Sequence, residues 1–146
     1  MTPQDLQDLQ SLTGALHRVE QARMRAILQE ESDLRHLLAQ LDEDARQIQN
    51  LPEAQSTDLR TIGGDVTWQA WVAKTRRNLN VQLAQVLARK GIALTALERT
   101  FGRDEAVGNI VRDTVRDRRD VMEKTRIEQQ QSLFCFQPAL NQTEKS

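Results

Sequence analysis

Aromatic side chains are almost missing from this chain. Tyr is absent, and Phe and Trp together make up 3% of the residues. A globular core draws much of its buried area from aromatics, roughly 150–250 Å² each, so this scarcity argues against a conventional packed globule. Cysteine is represented only by Cys135. No intrachain disulfide can form, a reducing compartment is expected, and Cys135 reads as an idle or buried thiol within Leu133-Phe134-Cys135-Phe136. No apolar run approaches the ~18 residues of a membrane span. The opening Met1-Thr2-Pro3-Gln4-Asp5 has neither the basic nor the apolar region of a secretory signal, so a cytoplasmic location is expected.

The signatures of catalysis are missing too. There is no CxxC, HExxH, P-loop or GxSxG, and His17 and His36 stand 19 residues apart, too far along one helix to share a site. Glu30-Glu31 and Asp42-Glu43-Asp44 read as helix-surface acids. The glycines at 102 and 108 lack the strand context of a phosphate-binding loop. The chain is expected to be no enzyme and to use neither cofactor nor metal.

What is abundant is Ala, Leu, Gln, Glu and Arg, the composition of long helices and coiled coils. The length of 146 residues suits one domain. The overall charge of −1 conceals a division. Residues 1–65 hold 6 Arg/Lys against 12 Asp/Glu, whereas residues 66–126 hold 13 against 7. An acidic helix, a breaker segment and a basic helix predict a chain folded back on itself, its halves attracting one another.

Thr2, Pro3 and Asp5 make a helix start. Leu9, Leu12, Leu16 and Val19 recur at spacings of three and four, and Ile27, Leu34, Leu41 and Ile48 lie seven apart with Met24, Leu38 and Ala45 between them. The two sets do not share a register, which predicts a stutter near residues 23–26. This helix is expected over 4–50, roughly 70 Å long, and Leu51-Pro52 ends it. Residues 51–65 form the connection, with a short helical turn around Asp58–Ile62. In the second helix, expected over 66–131 and roughly 100 Å long, Val72, Leu79, Val86 and Ala93 lie seven apart beside Leu83 and Leu97. Residues 132–146 are expected to be a flexible tail. The predicted fold is all-α: an elongated antiparallel two-helix coiled-coil hairpin, 1–131, with helices of unequal length. The surplus of the longer helix leaves the stripe Val111, Val115, Val121 and Met122 in need of a partner or of the early leucines.

Two features point to binding. Trp68 and Trp71 lie three apart on one face at the start of the second helix. They either clamp the connecting loop or dock a partner, Trp being enriched at interface hot spots. Arg112, Arg116, Arg118, Arg119, Lys124 and Arg126 form a basic run that is able to track phosphates. Asp113, Asp117, Asp120 and Glu123 are interleaved at helical spacing, which lowers the field and favours a salt-bridged exposed face over nucleic-acid binding.

In its length, its unequal helices, the start DVTWQAWVAKTRRNLNVQLAQV of the second helix and the continuation LERTFGRDEAVGNIVRD, the chain resembles the FliJ/YscO family of type III export proteins. The resemblance implies an antiparallel coiled coil like the central stalk of rotary ATP synthases. It implies binding to the flagellar or virulence export ATPase within its ring, to the cytoplasmic domain of the export gate and to export chaperones, with membrane association only through these partners and no nucleic acid. It places the gate-binding face on Trp68, Trp71, Val72, Thr75 and Leu79, and the ATPase-facing region in the Arg-rich stretch that includes Arg112, Arg116 and Arg119. The alternative is a cytoplasmic coiled-coil adaptor or tether outside secretion, acting as a dimer through the uncovered stripe.

Overall fold

The structure, a computed structural model, describes residues 1–143, with the side chains of all of them except Leu59 and 137–143. The described residues are helical almost throughout and include no strand: α1 spans Pro3–Gln49, α2 spans Glu53–Thr61 and α3 spans Gly64–Thr143.

The start of α1 follows from its first residues. The Asp5 backbone N–H donates to the Thr2 hydroxyl at 3.2 Å, and the Thr2 N–H donates to the Asp5 carboxylate at 2.8 Å. This reciprocal box satisfies donors that a helix N-terminus leaves open. Pro52 then begins a new helix where a loop with a single turn is expected. Its carbonyl accepts from Gln55 and Ser56, and Glu53 adds an acid to the first turn of α2. Gly63 closes α2 at φ +71°, a left-handed conformation that suits glycine. The expected connection is thus two short links around a nine-residue helix.

The third helix reaches Thr143, past the expected end at 131. Propagation adds one hydrogen bond for each residue fixed; Gln131 to Gln137 hold no residue that breaks a helix, and the helix continues past Pro138. Within the expected tail 132–146, residues 132–143 are helical and 144–146 lie outside the described residues.

The chain divides into two compact units, Met1–Ala15 with Gly102–Ser146, and Leu16–Phe101. The second unit holds the larger core. Met24, Ile27 and Leu34 of α1 pack with Val86 and Ala93 of α3, and Leu79, Leu83 and Leu97 close over them. Val86 is 1% exposed. Three ion pairs join α1 to α3: Glu30 with Arg89 at 2.7 Å, Glu31 with Lys90 at 2.7 Å, and, later in α1 and earlier in α3, Asp42 with Arg76 at 2.6 Å. In each the acid comes from α1 and the base from α3, as the division of charge predicts. Glu31 is buried. It accepts from Lys90 and, through its other oxygen, from Arg35 at 2.9 Å. The Lys90 ammonium above all, and then the Arg35 guanidinium, hold its carboxyl below the usual glutamate value.

In the first unit Leu6 and Val107 are buried, and so is Thr13, whose hydroxyl donates to the Asp104 carboxylate at 2.9 Å. The buried positions of α1 correct the expected stutter. Leu6, Thr13, Ile27, Leu34 and Leu41 all fall on one seven-residue spacing. The early leucines at 9, 12 and 16, with Val19, are exposed instead. Polar residues occupy the seam near the start of α1: Thr13 is held by Asp104, and His17 Nδ1 lies 3.2 Å from the Thr100 hydroxyl.

Candidate partner-binding site

The end of α1, Ser56 and Arg60 of α2 and the start of α3 line a cleft in the second unit. Ile48 and Leu51 give it apolar walls, Trp68 a flat one, and Arg60 and Asp65 supply one charge of each sign. Its volume is about 520 Å³. The rings of Trp68 and Trp71 stack with centroids 5.0 Å apart and planes inclined by 24°. Such stacking adds about 0.5–1.5 kcal/mol beyond area burial and fixes the orientation of both indoles. Trp68 is half-buried against the cleft, while Trp71 remains 50% exposed. A rigid, half-exposed indole beside an apolar cleft is able to bury further area on a partner at little cost in side-chain entropy.

The other residues of this predicted face divide. Val72 is 5% exposed and Leu79 packs on the core, so both support the helix pair more than they present surface. Thr75 is half-buried. One side of the α3 start therefore offers Trp71 outward and turns Val72 and Leu79 inward. The resemblance placed these residues on one face without distinguishing which side α1 would cover. The cleft itself was not legible in the sequence. It depends on α2, of which the sequence predicts only a short helical turn around Asp58–Ile62.

The predicted arginines lie in the first unit. Arg116 pairs with Asp113 at 3.0 Å, and Arg112 hydrogen-bonds Asn109 and approaches Glu105 at 4.0 Å. Arg119 makes no ion pair among the described residues. Every residue from Val115 to Phe136 is exposed, including Met122 at 72% and Phe134 at 77%. Local pairs of this exposed kind are worth about 0–1 kcal/mol and break readily for a partner. Cys135 is exposed as well, which removes the buried alternative of the expected idle or buried thiol. No group of three or more His, Cys, Asp or Glu fit to hold a metal occurs among the described residues. Among them, no helix is long and apolar enough to cross a membrane.

Comparison with protein-family models, curated proteins and solved structures finds no match to this chain.

Proposed function

We infer that the protein is a non-enzymatic helical subunit of a type III protein-export apparatus of the flagellar kind. In this reading it folds as an elongated antiparallel coiled-coil hairpin with helices of unequal length. It enters the ring of the export ATPase as a stalk-like element and couples that ring to the cytoplasmic domain of the export gate, with export chaperones as further partners. It works in the cytoplasm and meets the membrane only through these partners.

The observation that carries the reading is the stretch of α3 from Val115 to Phe136, exposed at every residue and bearing arginines beside apolar side chains. Large exposed apolar surface marks an interaction site, and a helix uncovered over this length fits insertion into a ring. Arg112, Arg116 and Arg119 lie in or beside this stretch and contact the ATPase in this account. The stacked Trp68 and Trp71 dock the gate.

The gate half of the proposal is tested with the double variant Trp68→Ala/Trp71→Ala. Its affinity for the gate's cytoplasmic domain is expected to fall at least tenfold while helicity by circular dichroism is retained. Lost helicity would make the two indoles structural. Unchanged affinity would remove them from the docking face.

A further inference from the structure

The charges of the exposed α3 end are not mixed at random around the helix. At about 100° of turn per residue, Val111, Val115, Met122 and Leu133 fall on one face. Arg112, Arg119 and Arg126 follow at seven-residue spacing along one flank of that stripe, and Arg118 borders its other flank. The five carboxylates of the segment, Asp113, Asp117, Asp120, Glu123 and Glu128, all lie more than roughly 60° from Val115. So does Arg116, which is paired with Asp113. A segment close to neutral overall is therefore basic and apolar on one side and acidic on the other.

We propose that this face, centred on Val115 and Met122 and edged by Arg112, Arg119 and Arg126, docks a partner helix that carries an apolar stripe and carboxylates at seven-residue spacing. The repeat of the arginines, about 10.5 Å along the axis, matches the heptad repeat of a helix and permits one carboxylate per arginine. The continuously exposed residues of α3, Val115 to Phe136, cover about three heptads, a length that suits pairing with a helix, with Val115, Met122 and Leu133 as its apolar points on this face. Phosphates of nucleic acid would leave the interleaved valines and Met122 without a role. A lipid surface asks for a broad apolar face, whereas this stripe spans only roughly 40° of the helix circumference. The inference rests on reading this end of α3 as partner-binding and gives the chemistry of that partner, whichever machine supplies it.

The test uses the full chain and a synthetic peptide of about four heptads with leucine at a and d and glutamate at e and g. A second peptide carries lysine in place of each glutamate. The chain is expected to bind the glutamate peptide at least tenfold more tightly than the lysine peptide. The triple variant Arg112→Gln/Arg119→Gln/Arg126→Gln is expected to lose that preference with helicity unchanged. The double variant Lys124→Glu/Gln131→Glu makes the same change in net charge on the opposite face, and it is expected to keep binding within threefold. Equal loss in both variants would reduce the effect to net charge and overturn the proposal. Absent or unselective peptide binding would overturn it too, as would tighter binding to duplex DNA or to phosphatidylserine vesicles. Any of these results leaves stimulation of the export ATPase, a separate measurement, free to succeed or fail.

Discussion

The packing of α1 on α3 is tested most sharply by making one substitution at two places on the same helix. Val86 is 1% exposed in the core of the second unit, and Val81 is 57% exposed. Val→Ala removes the equivalent of two methylenes, about 1.6 kcal/mol of transfer free energy for a fully buried side chain. At Val86 a cavity term adds to this, because the surrounding Met24, Ile27 and Leu34 relax only in part. Alanine also has the better helix propensity, which returns about 0.5 kcal/mol at either position. The net expectation is a loss of about 1.5–2 kcal/mol for Val86→Ala, and a change near zero for Val81→Ala, where less than half of the transfer term applies. Propensity cancels between the two variants, so their difference isolates burial. Urea unfolding followed by circular dichroism at 222 nm measures it, with the Tm of Val86→Ala expected to fall by about 3–6 °C. Equal effects at the two positions would refute the assignment of Val86 to the interior of the helix pair.

Gly91 is exposed on α3, and a Cβ there would meet nothing within 4 Å. Gly91→Ala is therefore expected to stabilise the protein by about 0.8–1 kcal/mol, read as a rise in Tm; a fall would mean that the backbone there is not a regular helix. The carboxyls of Asp5, bonded to Thr2, and of Glu31, bonded first to Lys90, are both held below their ordinary values of 3.8 and 4.5. A depressed carboxylate contributes stability that is complete above its ordinary value and is lost as pH falls through the lower folded one. The urea midpoint should accordingly decline as pH drops below about 4.5, and Glu31→Gln should flatten that decline; an unchanged slope in the variant would show that the Lys90 and Arg35 bonds do not form in solution.

Much of the second unit was legible in the sequence because burial follows the heptad arithmetic there. Ile27, Leu34 and Leu41, with Val72, Val86 and Ala93, were read from spacing alone and all are buried. The division of charge between the halves likewise anticipated the sign of each inter-helix pair. Near the start of α1 the same reasoning failed. Thr13 takes a seam position that an apolar residue would mark, and its partner Asp104 lies 91 residues away, beyond any local pattern. The exposed leucines at 9, 12 and 16 form the stronger periodic signal, so hydrophobicity pointed to the wrong face. The extension of α3 to Thr143 was missed for another reason. Pro138 and the polar residues after it mark a tail in the sequence, yet α3 continues through them to Thr143. Among the site residues, spacing grouped Arg112, Arg116 and Arg119 by proximity in sequence. A helical projection separates Arg116, joins Arg126 to the other two and sets Arg118 across the apolar stripe from them.

The central claim concerns coupling to an ATPase, and rate is its most direct readout. The measurement is the hydrolysis rate of the export ATPase of the same organism, with and without this protein, at matched ionic strength. The account predicts a higher rate together with a stable complex between the protein and the ATPase ring, both diminished by substitution of Arg112 and Arg119. An active ATPase that neither binds the protein nor changes its rate would contradict it.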